Sequence, residues 1–386
     1  MQKLTISKDE LMCHKKYFYK NVVVKLNQMK KRYKKGACTS RKQWKFLSLC
    51  LYYRNQLAIG EPYQLRKIQK IIDAKYADVL EKDEEFRKAI EEAFGFDNFS
   101  SAGISTNILE SAKKKSGISV HANYDNKKIL TALYVELENC DVELAKEIQI
   151  KIENLNENIT KKILEKIIRE VLVVYITEKN MSIDMLPDWN PYIMQFHRKI
   201  RTCPYCNRQY ITPVYSETGK VRADLDHFYS KSRYPYFSMS IYNLVPSCKF
   251  CNSSLKGIKE FSFEDKTPYE ISMDELAEFR YWPSCKIEFY EKDKAVHTYK
   301  EIFKIEELYD FHRNDAKVLL RKRLRYPPAR IRELVGTGLI SEKELYKFII
   351  GEVSTKEKIL QEPLNKFKRD IVKEIFGERI LKMVEE

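Results

Sequence analysis

Apolar residues recur at every third or fourth position over much of the chain, which is the spacing of one face of an α-helix. The stripe is clearest over residues 62–95 and returns over 136–154 and 158–174. Its members in the first segment are Leu65, Ile68, Ile71, Ile72, Tyr76 and Leu80. The run from Phe94 to Gly103 breaks the pattern and predicts a loop. We therefore predict a mostly helical lobe over residues 1–199, with five to seven helices.

The pattern changes after the proline-containing stretch at 187–191. Between about 201 and 259 the apolar segments are short and partly alternating, as on half-buried strands. Residues 210–215 and 220–226 predict a β-hairpin around the turn-forming 216–219, with Val221, Ala223 and Leu225 on one face. After about 265 helical spacing returns, with one further strand allowed in the aromatic stretch 281–290.

These patterns predict a mainly α fold with a small α+β insert. The domains are expected to be a basic helical N-terminal lobe (1–199), a central α+β domain (200–265) and a mostly helical C-terminal region (266–386). A chain of 386 residues is long enough to bury hydrophobic cores of its own.

Positive charge is concentrated at the N-terminus. The chain carries a net charge of +15, and residues 1–60 hold 15 Lys and Arg against only Asp9 and Glu10. Aromatic and aliphatic residues interrupt these charges at roughly helical spacing, so the segment can fold. A folded basic face attracts a phosphate backbone, because each docked Lys or Arg releases a condensed counterion. A solvated helix face without a partner is the equally weighted alternative.

Several classes of protein are disfavoured by composition. The chain has only 11 Gly and no G-x-G-x-x-G or P-loop motif, which argues against a Gly-rich nucleotide cradle. Its apolar runs are shorter than the ~20 residues of a membrane span, and the N-terminus lacks a signal-peptide pattern. We expect a cytoplasmic protein with no membrane partner.

Four of the nine cysteines form two C-x-x-C pairs, Cys203/Cys206 and Cys248/Cys251. Four thiolates around one ion make a closed tetrahedral zinc site, which is structural because no position remains open for water. The 41 residues between the pairs exceed the usual zinc-ribbon gap, so a further element is inserted between them. The other five cysteines are isolated, and no disulfide framework is predicted.

Candidate catalytic residues lie between the two cysteine pairs or directly after the second pair. Asp226 offers a carboxylate at a predicted strand end, and Asn252 offers an amide oxygen directly after the second cysteine pair. Two oxygen ligands, completed by water and phosphate, are a common way to hold Mg²⁺. His227 can take a proton from water near neutral pH. An isolated Asp-His is more often a surface pair or a hydrogen-bonded pair in the core. Here the zinc site would bring the segment that carries Asp226 and His227 close to Asn252.

Four motifs together resemble the zinc-containing branch of the HNH, or ββα-metal, endonucleases. They are Cys203-x-x-Cys206, Asp224-x-Asp226-His227, Asn243-Leu244-Val245-Pro246 and Cys248-x-x-Cys251-Asn252-x-x-x-Lys256. The resemblance implies a ββα-metal HNH domain in which Asp226 and Asn252 hold Mg²⁺ or Mn²⁺ and His227 is the general base. Asn243 would brace the loop that orients His227. Many members have His where this chain has Asn252, which affects the preferred metal.

A narrower resemblance concerns the stretch from Asp226 to Pro235. It is similar to the HNH subunits of Septu-type bacterial anti-phage systems, which work beside an ATPase. Glu307-Leu308-Tyr309 with His312 is similar to the region downstream of the HNH core in those proteins. This implies a role in antiviral defence and an ATPase partner subunit.

The resulting expectation is a metal-dependent endonuclease that hydrolyses phosphodiester bonds of DNA and leaves 5′ phosphates and 3′ hydroxyls. Phosphate contacts are assigned to four basic residues near the motif, for each of which an ordinary surface role is equally weighted: Lys231, Arg233, Lys249 and Lys256. One alternative is a zinc-ribbon protein that binds nucleic acid without cutting. Another is a toxin that cleaves RNA or tRNA. The sequence specifies neither the cut site nor the oligomeric state.

The remaining histidines carry weaker signals. His197 precedes the first cysteine pair and is expected at the surface, because four cysteines already suffice for zinc. His14 beside Cys13 makes no metal site without a second pair. His312 is expected to brace its helix against Tyr309.

Overall fold

The computed structural model describes residues 3–34, 40–102, 146, 149–150, 153, 189–215 and 220–385. The described chain is mostly helical and carries three two-stranded antiparallel sheets. The mainly α fold with small β elements is therefore confirmed. Among the described helices, none has the length and apolar character required to cross a bilayer.

The N-terminal part is built from short and medium helices. In chain order they are α1 (Lys8–Phe18), α2 (Val24–Lys34), α3 (Ser40–Tyr52), α4 (Arg54–Ile59), α5 (Pro62–Lys82), α6 (Glu84–Phe94) and α7 (Phe96–Ser101), with a π-helical turn at Tyr19–Val23 between α1 and α2. Helix α5 begins with Pro62, and Glu61 and Gln64 form a reciprocal capping box around it. The stripe predicted on this helix is buried at Leu65, Ile68 and Ile72.

The prediction of a loop from Phe94 to Gly103 is wrong. Gly95 adopts a left-handed conformation (φ 64°) that ends α6, and a new helix, α7, follows directly. Its Phe99 is fully buried with its ring edge-on to His14 and Tyr17, so tertiary packing stabilises a helix that local sequence signals do not reveal. Most of the two helices predicted over 136–154 and 158–174 lies outside the described residues.

Helix α8 (Pro191–Arg198) leads into the central segment. The Asn190 side chain caps its first turn by accepting the backbone N–H groups of residues 192 and 193. At its end, Arg198 donates to Glu10 at 3.0 Å and to the Tyr269 hydroxyl at 2.7 Å. Since Arg198 and Glu10 are almost wholly buried, this ion pair ties the first helix to the centre of the molecule.

Two of the antiparallel sheets lie in the central segment. β1 (Val214–Tyr215) pairs with β2 (Lys220–Val221), and β3 (Asp224–His227) pairs with β4 (Leu244–Ser247). The predicted pairing of the two hairpin strands is present, but the prediction of one continuous strand over 220–226 is wrong. It breaks because the backbone N–H and C=O of Ala223 bond to the Gln195 side chain of α8, at 2.9 Å each, instead of to a neighbouring strand. Val221, predicted on the same face as Ala223 and Leu225, is 56% exposed, whereas those two residues are buried.

The C-terminal part returns to helices around one further hairpin. The elements are α9 (Met273–Leu276), β5 (Ala277–Arg280), β6 (Glu288–Glu291), α10 (His297–Phe303), α11 (Ile305–Asp310), α12 (Arg313–Arg325), α13 (Pro328–Gly336), α14 (Glu342–Ile350), α15 (Asn365–Phe376) and α16 (Glu378–Val384). β5 and β6 pair antiparallel, with Phe279 opposite Phe289. The second strand falls at the end of the aromatic stretch in which a strand was expected.

The described residues bury two hydrophobic clusters, and the β3–β4 hairpin lies between them. Leu225 and Leu244 belong to the cluster of the N-terminal helices, whereas Phe228 and Val245 belong to the cluster of the C-terminal helices. Neighbouring strand residues point to opposite faces, so one short hairpin serves both cores. The buried clusters therefore cross the predicted boundaries at 199/200 and 265/266.

Candidate functional site

The two C-x-x-C pairs come together as one buried cluster. The sulfur atoms of Cys203, Cys206, Cys248 and Cys251 all lie within 4.8 Å of one another, and those of Cys206 and Cys248 are 4.0 Å apart. Zinc–sulfur bonds of about 2.3 Å in a tetrahedron place the sulfurs roughly 3.8 Å apart. The cluster could therefore hold a zinc ion, as the spacing predicts.

The first cysteine pair is anchored to the C-terminal part of the chain. Asn207 has a left-handed backbone (φ 50°) directly after the pair. Its side-chain amide donates to the carbonyl of Ile359 at 2.6 Å and accepts from the backbone of Lys366 at 3.2 Å. The Tyr309 hydroxyl donates to the carbonyl of Cys206 at 2.6 Å. A zinc ion here would thus fasten the last helices as well as the central hairpin.

The second pair leads into a π-helical turn, Phe250–Lys256, that carries two candidate site residues. The Gly257 N–H donates to the carbonyl of Asn252, five residues earlier, at 3.0 Å. Such turns are rare and occur frequently at functional sites. Both Asn252 and Lys256 line a cavity of about 500 Å³.

Strand β3 supplies the other wall of this cavity. Asp224, Asp226 and His227 all line it, together with Phe96 from α7. The carboxylates, the imidazole and the Asn252 amide therefore share one cavity, although Asn252 lies 25 positions after His227 in the chain.

His227 is held in one tautomer. Its Nε2 lies 3.0 Å from the carbonyl oxygen of Ser238, which can only accept, so Nε2 carries the proton and Nδ1 is the basic nitrogen. The ring packs edge-on against Phe96, with centroids 4.2 Å apart. Burial lowers the pKa of His227 from 6.5 to about 4, against the opposing effect of the Ser238 bond. The imidazole is consequently neutral at pH 7.

Asp226 is buried and both of its carboxylate oxygens are engaged. Lys256 donates to Oδ1 and the Tyr205 hydroxyl donates to Oδ2, each at 2.7 Å. In the sequence Tyr205 lies between the two cysteines of the first pair, so its hydrogen bond to Asp226 connects the cysteine cluster to the cavity. The sequence does not reveal the role of Tyr205 or the ion pair between Lys256 and Asp226, because these partners lie 21 and 30 residues from Asp226.

Asn252 is oriented by the first carboxylate of β3. Its Nδ2 donates to Oδ2 of Asp224 at 3.1 Å. The amide oxygen, on the opposite side of the group, accepts no hydrogen bond from the part of the chain that the structure describes. An amide oxygen that accepts no hydrogen bond can serve as a ligand for a hard cation.

Asn243 is fully buried at the start of β4 and closes the loop from residue 228 to residue 243. Its Oδ1 accepts from the Tyr229 N–H at 2.7 Å, and its Nδ2 donates to the carbonyls of Tyr229 and Phe237, both at 3.1 Å. The loop it closes carries Ser238, whose carbonyl holds His227.

The four basic residues predicted to contact phosphate have different environments. Lys231 pairs with Asp97 at 2.7 Å and Arg233 with Glu260 at 3.3 Å, both at the surface. Lys249 is exposed. Lys256 differs from the surface lysine that the sequence suggests, because only 5% of its side chain is exposed and it is paired with Asp226.

Three other histidines of the described residues, His14, His197 and His312, lie outside the cavity. His197, expected at the surface, is half-buried against Trp189, with ring centroids 6.2 Å apart, so that expectation is wrong. His312 stands at the N-cap of α12 with its ring 5.8 Å from that of Tyr309, as predicted. His14 is fully buried and bonds to Trp189 and to the carbonyl of Met239.

Comparisons with known proteins add no relative. No family model matches the chain, and searches of curated proteins and of solved structures return no match either.

Proposed function

We propose that this chain is a metal-dependent HNH-type endonuclease that hydrolyses phosphodiester bonds of DNA. The observation that carries the proposal is the shared cavity: a neutral imidazole, two carboxylates and an oriented amide face one space of about 500 Å³. A base beside oxygen ligands for a divalent ion is the equipment of hydrolytic phosphoryl transfer.

His227 acts as the general base. Its Nε2–H stays bonded to the Ser238 carbonyl, so Nδ1 is free to take the proton from an attacking water. The lowered pKa of His227 keeps this nitrogen unprotonated at neutral pH. Packing of Phe96 against the ring limits its rotation and keeps Nδ1 in one direction.

The donor set of the cavity fits a hard divalent ion such as Mg²⁺ or Mn²⁺. The residues that would hold it are Asp226, through a carboxylate oxygen, and Asn252, through Oδ1. In that position a divalent ion would supply positive charge to stabilise the negative charge that develops on the phosphate and its leaving oxygen. Asp224 orients the Asn252 amide, and Tyr205 fixes the second oxygen of Asp226.

Nucleic acid as the substrate is supported by charge. The first 60 residues carry a net charge of +13, and many of their lysines and arginines are exposed on α1 to α4. The same lobe reaches the cavity through α7, whose Phe96 and Asp97 contact His227 and Lys231. A duplex attracted to the basic helices would thus be close to the cavity.

The proposal is tested with supercoiled plasmid and the full-length zinc-loaded protein. We expect nicking in Mg²⁺ or Mn²⁺, none in EDTA, and products with 5′ phosphates and 3′ hydroxyls. An intact plasmid under every metal condition would contradict DNA cleavage. Cleavage of RNA but not of DNA in the same buffers would select an RNA-cleaving toxin instead.

One observation favours a second candidate, a zinc-containing protein that binds nucleic acid without cutting it. Both oxygens of Asp226 are engaged, by Lys256 and Tyr205, which is how a purely structural carboxylate behaves. This candidate predicts DNA binding that falls steeply with salt and is unchanged by Asp226→Ala in a folded variant. The nuclease proposal instead predicts that cleavage is lost in that variant.

The proposal extends to antiviral defence beside an ATPase partner, on the strength of the similarity of residues 226–235 to Septu-type subunits. Cells that express this chain together with a Septu-type ATPase should form fewer phage plaques than cells with that ATPase and the His227→Ala variant. Equal plaque numbers for the two would contradict a defence role that depends on cleavage.

A further inference from the structure

Lys256 occupies the place of a cation at Asp226. Its ammonium lies 2.7 Å from Oδ1 of Asp226 and 2.5 Å from the carbonyl oxygen of His227. Both side chains of the ion pair are only 5% exposed. Two oxygens of different residues thus converge on one positive charge at the wall of the cavity.

The position of Lys256 follows from the helix that carries it. The π-helical turn Phe250–Lys256 ends at this residue, and Gly257 then turns the chain with φ 50°. The ammonium of Lys256 lies 5.7 Å from the centre of the Phe261 ring. Lys256 is therefore a buried residue in the wall of the cavity.

A divalent ion bound to Oδ1 of Asp226 would lie within a few ångströms of this ammonium. Like charges at that separation repel strongly where water is scarce. The second oxygen of Asp226 offers no equivalent position, because the Tyr205 hydroxyl holds it at 2.7 Å. The carboxylate can serve the ammonium or the divalent ion fully, but not both in the present geometry.

We propose that Lys256 is an internal cation that a divalent ion must displace from Asp226 in order to bind. The inference deepens the proposed function and rests on it for its biological role. In the free protein Lys256 holds the affinity for divalent ions low. A phosphodiester in the cavity draws the ammonium toward its own negative oxygens, so that substrate entry and metal binding favour each other.

Titration calorimetry with Mn²⁺ on the full-length, zinc-loaded protein tests the inference without any need for catalysis. The main variant is Lys256→Met, which keeps an unbranched apolar side chain and removes the charge. The matched control is Lys259→Met, because Lys259 is exposed and lines the same cavity but does not contact Asp226. Asp226→Asn in the Lys256→Met background identifies the site that is titrated.

We expect Lys256→Met to bind Mn²⁺ at least tenfold more tightly than the wild type, Lys259→Met to change affinity less than threefold, and Asp226→Asn to abolish the gain. An affinity in Lys256→Met equal to or weaker than that of the wild type would overturn the inference. So would an equal gain in Lys259→Met, which would reduce the effect to net charge.

Folding is checked by thermal melting of each variant. If Lys256→Met does not fold, Lys256→Gln, which retains a hydrogen-bond donor, replaces it in the same titration. Unfolding of both variants that Mn²⁺ does not reverse would make Lys256 a structural residue only and overturn the inference. Failure of the proposed function is a separate result: a wild type that cuts no nucleic acid, whatever the Mn²⁺ affinities.

Discussion

The hydroxyl of Tyr205 donates a 2.7 Å hydrogen bond to Oδ2 of Asp226 and so joins the cysteine cluster to the cavity lined by His227. The Tyr205 ring stacks on Phe303 at 4.3 Å, which fixes the direction of the hydroxyl. Burial raises the pKa of Tyr205 well above its usual value, so the hydroxyl remains a donor. The cysteine cluster and the candidate site are therefore adjacent parts of one hydrogen-bonded unit.

Replacing Tyr205 by Phe removes this donor and leaves one buried carboxylate oxygen without its partner. We expect a loss of about 1–3 kcal/mol in the free energy of unfolding, with the zinc content unchanged. Urea unfolding and atomic absorption measure the two quantities. A variant that loses zinc together with stability would show that Tyr205 supports the cysteine cluster and not Asp226 in particular.

Cys206→Ser should remove zinc and destabilise the protein, because binding of a structural ion contributes directly to the folding free energy. We expect a thermal midpoint lower by roughly 10 °C or more. His227→Ala is the comparison, since its side chain lines the cavity and is not a zinc ligand. Similar melting losses in both variants would mean that His227 belongs to the scaffold.

Stability should fall in mild acid because His14 is buried in its neutral form. Burial lowers its pKa from 6.5 to about 4, and the nearby Arg198, itself paired with Glu10, acts in the same direction. Between these pH values the unfolded state binds more protons than the folded state. The free energy of unfolding therefore declines as pH falls below 6.5, by up to about 1.4 kcal/mol per pH unit from this residue.

His14→Gln tests that origin. Glutamine offers an acceptor for the Trp189 indole and a donor for the Met239 carbonyl, the two partners of His14, but it does not titrate. Urea unfolding midpoints at about pH 7 and about pH 5 should converge in the variant relative to the wild type. An unchanged pH dependence would assign the acid sensitivity to other groups.

Asp224 should act through Asn252, whose amide it orients at 3.1 Å. Asp224→Ala frees that amide, and we expect cleavage and Mn²⁺ affinity to fall roughly tenfold, the size of other losses of an outer partner at metal sites. Asp224→Asn retains an acceptor for the Asn252 Nδ2 and should keep most of both. If the Asn variant is as impaired as the Ala variant, Asp224 binds the ion directly.

Residues with a local signature could be found in the sequence. The paired cysteines reveal themselves by spacing, and the helical stripe of α5 by its period. The cluster of Cys203, Cys206, Cys248 and Cys251 forms as expected.

Residues whose environment depends on distant partners could not be found in this way. The strand break at Ala223 depends on Gln195 of α8, and helix α7 depends on the burial of Phe99. Lysine is normally a surface residue, and Lys256 is buried here because Asp226 and the carbonyl of His227 accept hydrogen bonds from its ammonium. Such contacts between separate segments are set by tertiary packing and leave no periodic trace in the chain.

If His227 is the base of a hydrolytic site, its removal should abolish cleavage. The most direct measurement is the rate of plasmid nicking in Mn²⁺ by the wild type, His227→Ala and His14→Gln. The two histidines are matched, because both bond to a backbone carbonyl and have pKa values lowered to about 4, but only His227 lines the cavity. We predict a loss of at least about 100-fold for His227→Ala and less than about threefold for His14→Gln. Nicking by His227→Ala at the wild-type rate, or equal losses in both variants, would contradict the role of His227 as the base.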